Sequence, residues 1–429
     1  MSIPEADPAP RALRRCGAGA FGAVLAMMCA CAVSPVNAQT RSLDDYLRIA
    51  ETNSPVLKDQ AYQRDALALD SFEVRAVFGP QVNGSGQFLY APSGAHWGYD
   101  PAITNSGLYS AVVGAQVPLF TGGRKRAGLD PVALRGNALL LAKEGTLLDL
   151  HQRVTEQYIN TYADQRTLAA VHDRVRILDE EEAVMKHLVE QGIYQQVDGM
   201  NLRVTVQAQR IAASKATALL RNDLLTLNTL CGSADTATVV LAPLNLQPPV
   251  AFDPSASPGL RRFAVDSLAN DIADRSVDLN YRARLNAVGD AGLNAVVIRD
   301  VPNRFGASAG LNLSVPIYDG NRRRTQHDRI ALREKSRTAY QDFYADQLQL
   351  RHAQLREALA QADTLIAGTQ RQSAGEEHLI ELYRLELEHG LVRLTDLFLA
   401  LENHARTVND MIQTEADRSH IVNALMHLQ

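Results

Sequence analysis

The residues with reactive chemistry in this chain are few, and their spacing points away from catalysis. Eleven histidines are scattered without the spacing that lets two of them share a metal. Three of the four cysteines, Cys16, Cys29 and Cys31, crowd the N-terminus. Cys231 stands alone in the body of the chain and is expected to act as a small buried hydrophobe at a helix end. No nucleophile–base arrangement can be picked out, so no enzyme, cofactor or metal site is expected. What recurs instead is charge placed near glycine. Glu190-x-Gly192-x5-Asp198 returns as Glu388-x-Gly390-x5-Asp396. An aspartate so placed stabilises the start of its own helix, accepting from free N–H groups and facing the positive end of the dipole. Arg282 and Arg284 alternate with apolar residues, as charges do on the wet face of a strand.

That acidic motif is one of two landmarks that share an offset. Val117-Pro118-Leu119-Phe120-Thr121-Gly122-Gly123-Arg124 returns as Val315-Pro316-Ile317-Tyr318-Asp319-Gly320-Asn321-Arg322, and both shifts are 198 residues (117 to 315, 192 to 390). Agreement between two landmarks implies an internal duplication. A helix is expected over 41–78, capped by Ser42 with Asp44 and Asp45 in its first turn, and stopped by Gly79-Pro80. Period-two alternation predicts strands at 82–90, 109–120, 279–287 and 309–317, in two hairpins with loops at 91–107 and 288–304. Strands of about ten residues can cross a bilayer when tilted. A soluble β-sandwich is the competing reading, and the long helices between the hairpins speak against it. Four strands cannot close a barrel alone, and an open edge in lipid is prohibitive, so spanning strands would require several chains to share one barrel.

The helical stretches carry heptads. Leu147, Leu150, Val154, Leu168, Val171, Val175, Leu178, Met185 and Val189 fall on the a and d positions of one frame, with Gln157, Thr161, Asp164 and Glu182 on the rest. Ala345, Leu348, Leu355, Leu359, Ala362, Ile366, Ile380, Tyr383 and Leu387 hold the shifted positions. Coiled-coil packing follows. The first long helix is expected over 124–191, about 100 Å at 1.5 Å per residue. Shorter helices are expected at 198–230, 259–277 and 396–427. The opening helix and 198–230, stacked end to end, match one long helix, as the wall of a tube requires. The first repeat is then 39–232, a linker rich in proline is 233–258, and the second repeat is 259–429.

A formal charge of -5 argues against nucleic-acid binding. No run of eighteen apolar residues lies in the body of the chain to make a membrane helix. Arg11, Arg14 and Arg15, an apolar run over 18–33 and Val36-Asn37-Ala38 read as a secretory signal peptide over 1–38. Lipidation at Cys31 stays open, although Met28-Cys29-Ala30 lacks the usual leading leucine.

The paired Val-Pro-Leu/Ile-Phe/Tyr-x-Gly-Gly/Asn-Arg signature resembles that of the TolC-like outer-membrane efflux proteins, as do the two Gly-x5-Asp turns and the opening Ser42-Leu43-Asp44-Asp45-Tyr46 with Ala50, Asn53 and Pro55. The resemblance spans about 41–428. It implies an α+β fold, mainly α: a homotrimer with four strands per chain, twelve in total, in a β-barrel continuous with a long periplasmic α-helical barrel. It implies a Gram-negative outer-membrane exit duct of a tripartite efflux pump or type I secretion system, set in outer-membrane lipid. Its partners would be a periplasmic adaptor (membrane fusion) protein and an inner-membrane RND, ABC or MFS transporter. A soluble periplasmic coiled-coil scaffold or adaptor is the alternative.

Carried onto this sequence, the resemblance makes Gly192 and Gly390 the turns of a periplasmic aperture, with Asp198 and Asp396 at the returning helices. In a trimer Asp396 would form an acidic ring. A second ring expected three residues later meets Leu399. A tyrosine and an arginine that lock some relatives closed map to Leu387 and Val392, with Arg393 one place displaced. Arg282 and Arg284 would face the barrel lumen and bias it toward anions, or be solvated without selectivity. Pro118, Gly122, Gly123, Pro316 and Gly320 would form the strand–helix junctions, followed by basic residues 124–126 and 322–324. Residues 191–197 and 389–395 would dock the adaptor.

Overall fold

In a computed structural model the described residues are 40–94, 96–100 and 107–428. The expected signal peptide over 1–38, its expected cleavage site and Cys31 lie outside them. The described residues open with a two-residue strand β1 (Thr40–Arg41), then α1 (Leu43–Asn53) and α2 (Pro55–Val77). A hairpin β2 (Gln81–Tyr90) and β3 (Gly107–Phe120) leads into α3 (Arg124–Glu190), which turns back as α4 (Gln196–Leu230). After the short β4 (Val240–Leu241), the order returns as α5 (Pro258–Asn280), β5 (Arg284–Ala295), β6 (Phe305–Ser314), α6 (Arg322–Glu388) and α7 (Leu394–Met426). Both long helices have 67 residues, about 100 Å at 1.5 Å rise.

Three expectations need correcting. The single opening helix over 41–78 is two helices. Ser54 caps the second and Pro55 occupies its first turn, where a missing N–H costs nothing. The expected third strand at 279–287 is largely helix and turn: α5 runs through Asn280, and β5 continues to Ala295 into what was expected to be loop. The apparent alternation of Leu279, Tyr281 and Ala283 is therefore a helix end read as a strand. The last strand ends at Ser314, so Val315 and Ile317 lie beyond it.

The sheet is antiparallel in the order β2-β3-β5-β6, so its outer edges, β2 and β6, pair with no further strand among the described residues. The helices form one layer beside it. Near the sheet the neighbours run α2, α3, α5, α6; away from it they run α4, α3, α7, α6. Burial on α6 follows the heptad seam, at Leu348, Leu355, Leu359, Ile380 and Leu387; on α3 it takes in the seam residues Val154, Val171, Leu178 and Met185 but also Leu141, Tyr158, Ile159 and Leu188 beside them. One cluster gathers Tyr46, Ala50, Tyr158, Leu224, Leu227 and Leu241, around β1, β4 and the middle of α3. A second joins α3, α4, α6 and α7 near the helix turns.

The two halves differ in how they cover their long helix. In the first, α1, α2 and α4 (11, 23 and 35 residues) together match α3. In the second, α5 and α7 (23 and 33 residues) leave a stretch of α6 without a helix. The proline-rich linker fills it: Phe252 stacks on His352 at 4.1 Å, and Leu246 packs beside Leu355 and Leu359.

Candidate functional site

The two helix turns meet. Gly192 and Gly390 adopt φ of 76° and 67°, the left-handed conformation that closes a helix with little steric cost when no Cβ is present. Asp198 lies in the first turn of α4, where its carboxylate accepts the Gln195 backbone N–H at 3.2 Å. Asp396 holds the equivalent place in α7 and accepts from Arg393 Nε at 3.3 Å. Both aspartates thus support their own helix starts. Arg393 is 84% exposed, so its ion pair adds little. Tyr194 crosses between the turns and donates to the Val392 carbonyl at 2.7 Å. Burial, then the charge of Asp198, raises the Tyr194 phenol above its ordinary range.

Leu387 is fully buried among Met185, Leu202, Leu394 and Leu397, whereas Leu391 and Leu399 are exposed. Farther from the turns, Arg384 of α6 donates from Nε to Glu181 of α3 at 2.6 Å and from Nη2 to Glu180 at 3.3 Å. Glu181 is almost completely buried. Sequence reasoning missed this tie between the two long helices. Its only trace is that Arg384 follows seam residue Tyr383 and Glu181 precedes seam residue Glu182. Beside the first turn, a groove of about 500 Å³ between α3 and α4 is lined by Glu182, Lys186, Val189, Met200 and Arg203.

Strand register sorts the sheet into two faces. One carries Val82, Phe88, Ala111, Val113, Ala115, Leu285, Ala287, Leu293, Phe305, Leu311 and Leu313. The other carries Asn83, Ser85, Gln87, Ser110, Gln116, Arg284, Asn286, Asp290, Ser308 and Asn312. Arg284, at the start of β5, is on the polar face. Arg282 is in neither face, because it lies between α5 and β5; the expected pair of strand arginines is one. The polar face also carries Asp290, which accepts from the Ser308 hydroxyl at 2.6 Å. It had been assigned to a loop because glycine and alanine around it blur the alternation.

The two junctions share a backbone and differ in contacts. Gly122 and Gly320 have φ of 63° and 64°, and Gly123 and Asn321 follow at 90° and 67° as the residues before the long helices. Pro118 does not end its ladder: it faces Asn286, and the register slips between it and Phe120. Pro316 lies two residues past the end of β6. Arg124 turns inward, donating to the carbonyls of Asn280 at 2.7 Å and Arg282 at 3.1 Å, and so caps the end of α5. Burial lowers its guanidinium pKa. In the second junction Arg323 reaches Asp278 at 2.7 Å, and His327 sits between Asp274 (2.6 Å) and Asp278 (3.1 Å). The Asp274 hydrogen bond leads in raising the His327 imidazole pKa. Cys231 is buried and unpaired, its thiol pushed up to about 11 by desolvation. That is the inert role expected of it.

Residues 46–233 match the model of a family described as outer membrane efflux protein. No curated protein matches the chain. Among solved structures, the transmembrane-channel protein CusC is similar with a TM-score of 0.72 at 14% identity, over 90% of this chain and 91% of its own. The outer membrane protein VceC of Vibrio cholerae gives 0.70 at 12%, over 90% and 95%. The CmeC outer membrane channel of Campylobacter jejuni gives 0.69 at 12%, over 90% and 85%. At these identities the likeness is one of fold, and it extends across both halves of the chain.

Proposed function

We propose that this chain, a member of the outer membrane efflux protein family, forms one third of a trimeric exit duct. On this reading the chain is a channel rather than an enzyme, set in the outer membrane with its helices reaching into the periplasm, in keeping with the family's description and with the outer membrane channels it resembles. In our reading the chain arose by internal duplication. Three four-stranded sheets close a twelve-stranded barrel, apolar face to lipid and polar face to the lumen. The observation that carries this is the sheet itself. It has one apolar and one polar face, two edges that pair with no further strand among the described residues, and helices whose free sides lie in the same order as those edges. An edge strand in lipid leaves N–H and C=O groups unsatisfied, and joining β2 of one copy to β6 of the next satisfies them. The contact uses different surfaces on the two partners, so it is heterologous, and with one third of a turn between copies it closes into a ring.

Unpartnered apolar residues support the same arrangement. On one side are Tyr62, Leu69 and Phe72 of α2 and Val197, Met200 and Val204 of α4; on the other are Leu332, Tyr340, Leu379 and Leu382 of α6. Export is passive, driven by an inner-membrane RND, ABC or MFS transporter. A periplasmic adaptor docks at 191–197 and 389–395 and beside the groove between α3 and α4. The duct serves a tripartite efflux pump or a type I secretion system. Its aperture is held by Leu387 in the core, the Tyr194–Val392 contact and the Arg384–Glu181 tie, and opens when the partner favours another arrangement of the turns. Arg284 and Asp290 face the lumen with opposite charges. An anion bias from the third strand is therefore not part of this reading.

The test is fractionation and electrophysiology. A heat-modifiable trimer in the outer-membrane fraction that conducts in planar bilayers is the expected result. A soluble monomer released without detergent would favour a periplasmic scaffold or adaptor instead. With Asp396→Asn, a reduced cation preference is expected; an unchanged one removes Asp396 from selectivity.

A further inference from the structure

Three polar residues occupy a and d positions in the middle of α3: Gln157, Thr161 and Asp164. A polar side chain in such a seam costs stability and is retained where it fixes register or responds to a signal. Here all three address one residue of α4. Gln157 Nε2 donates to the backbone carbonyl of Asp223 at 3.5 Å, and the Thr161 hydroxyl, which donates to the Gln157 carbonyl at 2.7 Å, lies 3.5 Å from the same Asp223 oxygen. Asp164 meets the Asp223 side chain, carboxyl to carboxyl. Asp164 Oδ2 is buried and accepts from no donor among the described residues.

Two carboxyl groups in contact cannot both ionise cheaply unless a cation lies between them. The surrounding cations are engaged elsewhere. On α3, Arg166 is bound to Glu415 of α7. At the N-terminus, Arg41 is bound to Asp235 of the linker at 2.6 Å. On α4, Arg221 is exposed and lies about 200° round the helix from Asp223. His420 of α7 is held by Asn160 of α3 at 2.8 Å, and burial lowers its pKa, favouring the neutral form. Tyr158 and Tyr162 of α3 add no positive charge.

We propose that Asp164 and Asp223 share one proton, and that this proton makes the α3–α4 seam respond to pH. With the proton, one carboxyl donates to the other and the seam is closed. Without it, two like charges face each other across a half-buried contact, and the helices separate there to admit water. Desolvation, then the Asp223 hydrogen bond and charge, push the Asp164 carboxyl up to about 7, so the change falls near neutrality. On the localisation proposed above, the seam is exposed to the pH of the periplasm.

The sign follows from linkage. Asp164 holds its proton more tightly folded than unfolded, so closure of the seam weakens as pH rises from the ordinary carboxylate range to about 7. One proton corresponds to at most a tenfold change in the open-to-closed ratio per pH unit. Hydrogen exchange of the full-length protein in detergent, read on peptides covering 157–164 and 220–227 and corrected for intrinsic exchange, tests this across pH of about 5 to about 8. In the wild type, protection in both peptides should fall several-fold over that range. In Asp164→Asn the amide hydrogen-bonds Asp223 without a proton, and protection should stay flat. Asp223→Asn should do the same from the other side, which keeps the test valid if one variant folds poorly. Equal pH dependence in wild type and both variants, or none in the wild type, would overturn the proposal. The readout is local and needs no channel activity, so it can fail while the export function stands.

Discussion

Glu181 is a buried carboxylate near the helix turns. Its side chain is 5% exposed, and Arg384 Nε lies 2.6 Å from it. Truncating a charged partner leaves a buried carboxylate poorly solvated, which costs far more than removing an exposed pair. Arg384 is itself 40% exposed, so water moderates the loss, and Arg384→Met is expected to destabilise by about 1–3 kcal/mol. Glu181→Gln keeps an acceptor for Arg384 and should cost less. Denaturant midpoints rank the two, and single-channel records should show more open time for Arg384→Met. His327 behaves differently because it is a surface group. Its pKa is raised by Asp274 and Asp278, so its stabilisation is complete below the unfolded value of about 6.5 and is lost as pH rises through the higher folded value. Removing that contribution with His327→Gln should flatten the stability profile in this window. The same substitution should leave exchange at 157–164 untouched, which separates this site from the carboxyl pair.

At the scale of elements, the strand-to-helix turns share a conformation and differ in room. A Cβ at Gly122 would lie 2.8 Å from Arg282 Cβ and 3.1 Å from the Ala283 carbonyl; at Gly320 it would meet nothing within 4 Å. Both residues have positive φ, so alanine carries about 1–2 kcal/mol of backbone strain at either. Only Gly122→Ala also forces the α5–β5 turn away from the junction, and it should be the worse variant by about 1–3 kcal/mol in urea unfolding. The repeated motif announced both turns, but their inequality depends on α5, whose end the sequence hid. Leu279, Tyr281 and Ala283 alternate at the end of a helix, while the true strand over 284–295 is diluted by glycine and alanine. The same weakness cost Asp290 its place and gave Arg282 a false one. Ser54-Pro55 was a legible cap and first turn that the apolar periodicity overran. The heptads were legible on α6, where the buried side chains keep to one seam; on α3 the buried set is wider and includes Tyr158, Ile159 and Leu188, because α3 packs against more helices. Cross-helix ties such as Arg384–Glu181 depend on how two helices distant in sequence align, which no local pattern encodes.

For the whole molecule, the decisive question is what covers the sides of the layer. No residue of α2 is buried, and Tyr62, Leu69 and Phe72 are each at least 70% exposed. On the opposite side, α6 exposes Leu332 and Tyr340 at comparable distances from the sheet. Leu69 and Tyr62 precede the end of α2 at Val77 by 8 and 15 residues; Leu332 and Tyr340 follow the start of α6 at Arg322 by 10 and 18. Two stripes at matching heights on opposite sides fit a ring in which α2 of one copy packs on α6 of the next. Phe72→Glu distinguishes this from an unpartnered surface. In a lone chain the side chain is in water, and the substitution should change stability by no more than about 0.5 kcal/mol. In the ring it places a carboxylate in an apolar contact three times over, at about 2–5 kcal/mol per copy. The expected outcome is loss of the heat-modifiable trimer on unheated gels, with helical content by circular dichroism retained. A Phe72→Glu trimer as resistant as wild type would mean that α2 faces solvent in the assembly, and that the order of helices around the ring is different.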